Sequence, residues 1–227
     1  IGDYGTYLAE ELAPFVHQSF QTSGRSAFTG RSSGGYGSLR LAMDFPHAVD
    51  AVACHAGDMG FSTGYCADLA ASIGPVRAAG GPMEYVSAFW EKDHLTGNEF
   101  AAMNLLCMSA AYDPAIGAEG FPARIPVDFE TGEIDFGSFL GWSRHDPIEL
   151  ADDPGCQAAL RSLRLLFIDA GDQDEYHLQL AARRLCRKLG EHGVPHVYEE
   201  FPGGHRGTSW RYRISVPRLV RAMAGEP

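Results

Sequence analysis

Apolar positions along the chain change rhythm twice. From Gly5 to Phe20, Leu8, Leu12, Phe15 or Val16 and Phe20 recur at helical spacing and predict a helix, with Pro14 as a kink or the start of a new turn. Ser26-Ala27-Phe28-Thr29 reads as a short strand and Gly35 to Met43 as a helix that ends by Phe45-Pro46, since the residue before a proline avoids the helical region. Val49 to His55 is a mostly apolar run suited to a buried parallel strand. Between Asp58 and Asp146 the strand–helix alternation stops. Helix-like pieces at Tyr65–Ile73, Pro82–Trp90 and Asn98–Ala111 interleave with glycines, prolines and aromatics, and Phe129–Phe136 resembles a small hairpin or loop. So long a stretch is not a structureless loop, so it is read as a helical insertion over the site. Alternation resumes with a strand at Leu163–Asp169, an amphipathic helix at Tyr176–Glu191, a strand at Val197–Phe201 and a terminal helix from Ser209 to Ala224.

Strands alternating with helices on either side of an insertion predict an α/β fold with a mostly parallel sheet flanked by helices. The expected organisation is one domain over residues 1–227, in which 1–57 and 147–227 build the sheet and 58–146 form the insertion or cap. The 227 residues suffice for one sizeable core. A net charge of −11, from 18 basic against 29 acidic residues, argues against nucleic acid as a partner. No run approaches the roughly 18 apolar residues of a membrane span, so a membrane partner is not expected. The five cysteines contain no C-x-x-C pair and are odd in number, which speaks against a zinc or redox motif and leans toward a reducing, cytoplasmic compartment.

The chemistry concentrates in three loops. Gly30-Arg31-Ser32-Ser33-Gly34, between a strand and a helix, fits the G-x-S-x-G turn that holds a serine hydroxyl proud of a sheet. Glycine is expected on both sides because side chains there would clash with the facing strand or helix. Ser32 is the candidate nucleophile, and the backbone N–H of Ser33 is a candidate oxyanion donor. Gly171-Asp172-Gln173-Asp174-Glu175 follows the next strand but one, and Gly203-Gly204-His205 follows the last. Nucleophile, acid and histidine thus stand in the chain order of an α/β-hydrolase. A serine hydroxyl is a weak nucleophile near neutral pH, so His205 takes its proton and a carboxylate holds the imidazole in the useful tautomer. Asp174 is chosen for that carboxylate; Asp169 would satisfy backbone groups at the strand end, and Asp172 or Asp174 itself could cap the next helix. Arg31, His55 and Trp142 are the candidate substrate-binding residues. Their alternatives are an ion pair with Asp58 or solvent for Arg31, a hydrogen-bonded structural position for His55, and insertion-core packing for Trp142. The sequence calls for no metal site and no organic cofactor.

Gly-Arg-Ser-Ser-Gly-Gly-Tyr-Gly-Ser-Leu, Ile-Asp-Ala-Gly-Asp-Gln-Asp-Glu-Tyr and Gly-Gly-His-Arg-Gly-Thr-Ser-Trp-Arg resemble the three catalytic segments of the esterase D-like putative esterase family. That group holds S-formylglutathione hydrolases, feruloyl, acetyl-xylan and enterochelin esterases and the mycolyltransferases. The resemblance spans residues 5–57 and 163–224 and implies an α/β-hydrolase fold with Ser32 as nucleophile, Asp174 as acid and His205 as base. It also implies strands ahead of the segment matching Ile1, including the loop that donates the second oxyanion N–H. These amino-terminal strands are missing from this sequence, so a complementing amino-terminal segment or a homo-oligomer is expected to supply them. The expected function is a serine carboxylesterase acting on a small-molecule ester through an acyl-enzyme. An acyltransferase of the same fold and a catalytically silent binding module are the rivals.

Overall fold

The computed structural model describes residues 2–117 and 119–225, in two units: residues 2–60 together with those from 146 onward, and residues 61–145. The first unit is built on four parallel strands, β1 (Ala27–Arg31), β2 (Ala51–His55), β3 (Leu165–Gly171) and β4 (Val197–Phe201), in the spatial order β1-β2-β3-β4. The register aligns Arg31 with His55 and His55 with Asp169, so three polar residues stand in one row across neighbouring strands. β2 is buried along its whole length, as expected of a strand covered on both faces.

Side chains alternate across a strand, which divides the core in two. Val52, Cys54, Leu166 and Ile168 pack with Leu39 and Ala42 of the helix Ser33–Asp44 and with Ala182, Leu185 and Leu189 of the helix Leu178–Glu191. Ala51, Ala53 and Phe167 form a smaller cluster on the opposite parity with Leu219 of the terminal helix Tyr212–Ala224. His55 and Asp169 share that second parity. The helix Pro154–Ser162, capped by Asp153, precedes β3.

The opening helix departs from expectation. It runs as Tyr4–Thr6, a π-helical stretch Tyr7–Leu12 and Ala13–Ser19. Ala9 is buried, yet Leu12, Phe15, Val16 and Phe20 of the expected apolar stripe are exposed. Helical spacing identified the element but not a covered face. No helix among the described residues is long and apolar enough to cross a membrane.

The second unit is helical. Cys66–Ala79 packs against Gly97–Tyr112, with Pro82–Phe89 completing a cluster of Val76, Tyr85, Ala102 and Leu106. The first helix continues through Pro75, six residues beyond the Ile73 at which the sequence placed its end. Gly97–Tyr112 starts with a capping box in which Thr96 accepts the Glu99 N–H and the Glu99 carboxylate accepts the Thr96 N–H.

Candidate active site

β1 runs into the helix Ser33–Asp44 through Ser32, whose backbone sits at φ 56°, ψ −126°. Positive φ in a non-glycine residue costs about 1–3 kcal/mol and persists only where the surroundings enforce it. Here the Ser32 N–H donates to the His55 carbonyl at 2.9 Å, and the Ser32 carbonyl accepts from the Tyr36 N–H at 3.0 Å and the Asp58 N–H at 3.3 Å. The crowding that demands glycine is at Gly30 and Gly35. A Cβ on Gly30 would lie 2.4 Å from the Gly34 carbonyl carbon and oxygen, and one on Gly35 would lie 2.9 Å from the Gly57 Cα. A Cβ on Gly34 would meet no described atom within 4 Å, so the second glycine of the G-x-S-x-G motif is not there to avoid a clash, contrary to expectation. The Ser33 N–H, at the first position of the helix, donates to no described acceptor and is free for an oxyanion.

The loop after β3 carries Asp174, and the loop after β4 carries His205. His205 Nδ1 and Asp174 Oδ2 are 2.8 Å apart, and both side chains are buried. The other Asp174 oxygen accepts the Tyr176 N–H at 2.9 Å, and the Tyr176 ring meets the imidazole edge-on at 5.0 Å. Asp174 caps no helix, because the following one begins at Leu178, after His177 in the left-handed region. Asp172 instead joins the two loops, accepting the Gly203 N–H at 3.0 Å. Gly171 also needs its missing side chain: a Cβ there would lie 2.4 Å from the Gly203 carbonyl oxygen.

The Ser32 hydroxyl donates to Asp58 Oδ1 at 3.2 Å, and the Ser33 hydroxyl donates to Asp58 Oδ2 at 2.7 Å. Among the described residues no hydrogen bond joins Ser32 to His205. Sequence reasoning had considered Asp58 only as a partner for Arg31. Its place near the serine follows from strand register: Arg31 pairs with His55, so Ser32 and the residues just past His55 leave the sheet side by side.

Of the three candidate substrate contacts, His55 and Trp142 take the structural alternatives named for them and Arg31 is exposed. Arg31 donates through Nη1 to the His205 carbonyl at 3.1 Å. His55 is 3% exposed and has both ring nitrogens bonded, Nδ1 to Asp169 Oδ1 at 2.7 Å and Nε2 to the Ser215 hydroxyl at 2.9 Å. Its parity turns it toward the terminal helix, so it is a structural histidine rather than a pocket wall. Asp169 also receives Arg211 Nε at 2.7 Å, and Arg211 continues to Glu199 at 2.6 Å. The indole of Trp142 is fully buried between Tyr112 and Phe139, with ring centroids 5.6 Å away on each side, and is core of the helical unit. All five cysteines are free.

A parallel sheet flanked by helices, with a serine at positive φ on a strand-to-helix turn and a histidine–carboxylate pair on loops after later strands, has the architecture of the α/β-hydrolase class. The chain belongs to the family described as putative esterase, whose model matches residues 2–217. A solved structure of a ferulic acid esterase is similar at 17% identity and a TM-score of 0.52, the match covering 97% of this chain and 61% of that one. FphF, a fluorophosphonate-binding serine hydrolase of Staphylococcus aureus solved with substrate bound, is similar at 17% identity and a TM-score of 0.50, covering 97% and 63%. The chain therefore spans less than two thirds of the length of either, and the likeness is one of fold. No curated protein matches the sequence.

Proposed function

We propose that this chain is a serine carboxylesterase working through an acyl-enzyme on Ser32. The observation that carries the reading is the buried His205–Asp174 pair, 2.8 Å between ring nitrogen and carboxylate, on the same unit as the strand-to-helix turn that holds Ser32 at positive φ. Membership of an esterase family supports it.

In this mechanism the Ser32 hydroxyl turns from Asp58 to His205, which removes its proton as the oxygen adds to the ester carbonyl carbon. Asp174 holds Nδ1 protonated, so Nε2 is the basic atom, and it stabilises the imidazolium that forms. The Ser33 N–H donates to the new oxyanion. Collapse breaks the carbon–oxygen bond to the alcohol, which leaves with the proton from His205. Water, deprotonated by the same imidazole, then releases the carboxylic acid and restores Ser32. A second oxyanion donor, and a strand to pair with the outer edge of β1, come in this reading from a complementing segment or a second copy of the chain. Loss of one such donor typically costs on the order of a hundred- to a thousandfold in rate. Free cysteines throughout suit a reducing compartment.

Intact mass after fluorophosphonate treatment tests the assignment. A single adduct on the parent and none on Ser32→Ala is expected. An adduct that survives in Ser32→Ala would remove Ser32 from the mechanism. Product analysis with and without an added alcohol separates hydrolysis from acyl transfer.

A further inference from the structure

We infer that Arg31 and Glu175 are a pair of positioning residues that grip the main chain of His205 from its two ends and so set where the imidazole stands relative to Ser32. The inference rests on the reading of His205 as the catalytic base.

Arg31 precedes the candidate nucleophile in the chain, and Glu175 follows the candidate acid. The Arg31 guanidinium donates to the His205 carbonyl at 3.1 Å, and Glu175 Oε2 accepts the His205 N–H at 2.6 Å. Thr208 adds its hydroxyl to the same carbonyl at 3.3 Å. Both polar groups of the His205 residue are therefore satisfied by side chains, in a loop that belongs to no helix or strand. That loop has freedom on each side of the histidine: Gly203 sits at φ 144° and Gly207 at φ 72°. Gly204 makes room for the grip, since a Cβ there would lie 2.8 Å from Glu175 Oε2.

The division of labour follows from the atoms involved. Asp174 and Tyr176 fix the rotation of the ring, but a ring held by its acid still travels with its backbone. Because Arg31 is bonded covalently to Ser32 and Glu175 to Asp174, the three members of the triad move as one body only while both side chains hold the His205 peptide. Arg31 has no carboxylate partner among the described residues, so its charge is not committed to an ion pair. Glu175 has its carboxyl pKa lowered chiefly by the His205 N–H, as a carboxylate accepting a main-chain donor should.

The test compares Arg31→Ala, Arg31→Lys, Glu175→Ala and Glu175→Gln with the parent. Both native side chains are exposed, so the alanine variants are expected to melt with the parent. Displacing a reacting group by about 1 Å costs on the order of a hundredfold, so the alanine variants are expected to lose about ten- to a hundredfold in kcat on 4-nitrophenyl acetate, with KM held within about twofold. Gln keeps an acceptor for the N–H and Lys keeps a cationic donor for the carbonyl, so those variants are expected to recover most of the rate. The ring nitrogen and proton NMR signals of His205 give a readout that needs no turnover: they are expected to shift and broaden in the alanine variants and to return in the conservative ones. Alanine variants with the parent kcat and parent His205 signals would overturn the inference. So would an Arg31→Ala effect confined to the KM of anionic esters, which would make Arg31 a substrate ligand. If the parent neither turns over esters nor takes up a fluorophosphonate while the His205 signals respond as described, the hydrolase reading falls and the grip stands.

Discussion

The two glycines that flank Ser32 in the motif should respond in opposite ways to the same substitution. Ala at position 30 places a Cβ 2.4 Å from the carbonyl carbon and oxygen of Gly34, about 1 Å inside the carbon contact distance, and both obstacles are backbone. The turn has to open, and a shift of about 1 Å at Ser32 is worth on the order of a hundredfold in rate. Ala at position 34 meets no described atom within 4 Å and lies inside the helix Ser33–Asp44. There Gly→Ala removes backbone freedom from the unfolded chain and stabilises by about 0.5–1 kcal/mol. For a domain of this size that raises Tm by about 1–4 °C. The assay is thermal unfolding by circular dichroism together with the rate of fluorophosphonate capture by intact mass. Gly30→Ala is expected to lose capture by about a hundredfold, while Gly34→Ala melts higher and captures within about tenfold of the parent. A Gly34→Ala variant as crippled as Gly30→Ala, or a Gly30→Ala variant with normal capture, would refute the steric account of this turn.

Three further outcomes follow from a buried ion pair, a buried thiol and an exposed carboxylate that accepts a main-chain N–H. Arg211→Met leaves the buried Asp169 without its cation and takes one from Glu199; breaking a buried pair of this kind costs about 3–5 kcal/mol, measurable as a fall in the urea midpoint, and a loss under about 1 kcal/mol would contradict it. Burial pushes the Cys54 thiol far above its usual range, whereas Cys66 is exposed, so a thiol reagent should modify Cys66 in the native protein and Cys54 only after denaturant is added; early modification of Cys54 would contradict its placement. The lowered pKa of Glu175 means that its interaction stabilises the fold above the ordinary glutamate range and is lost as pH falls through the lower folded value. The stability of the parent relative to Glu175→Gln should therefore rise with pH through the acid range, and a difference that stays flat would show the carboxylate charge to be idle.

The parts of this molecule legible in the sequence are those written locally. G-x-S-x-G after a short strand, Gly-Asp-Gln-Asp after a second and Gly-Gly-His after a third each carry their own turn chemistry, and their order is that of an α/β-hydrolase. What escaped depends on which distant segments face one another. Gly35 is obligatory because Gly57 passes 2.9 Å from where its Cβ would be, and nothing near Gly35 in the chain announces that. His55 was ambiguous because parity within a strand says that Ala51, Ala53 and His55 share a face but not which helix covers it. Arg31 donates to a carbonyl 174 residues away, a contact set by loop geometry rather than by charge pattern. The opening helix shows the converse limit: periodicity reveals an apolar stripe, and burial depends on what lies against it.

Ser215, His55 and Asp169 amount to a decoy. Serine oxygen to ring nitrogen is 2.9 Å and ring nitrogen to carboxylate 2.7 Å, a complete relay, while the Ser32 hydroxyl is turned to Asp58. A template that ranks serine–histidine–aspartate trios by interatomic distance would choose Ser215, which lies inside the helix Tyr212–Ala224 with no exposed surface. Two other coordinates reverse the ranking: reach from bulk water, and the torsion of the serine itself, helical for Ser215 and at positive φ for Ser32. Distance describes how well three side chains are wired together; the backbone angle describes whether the first of them has been lifted toward something else.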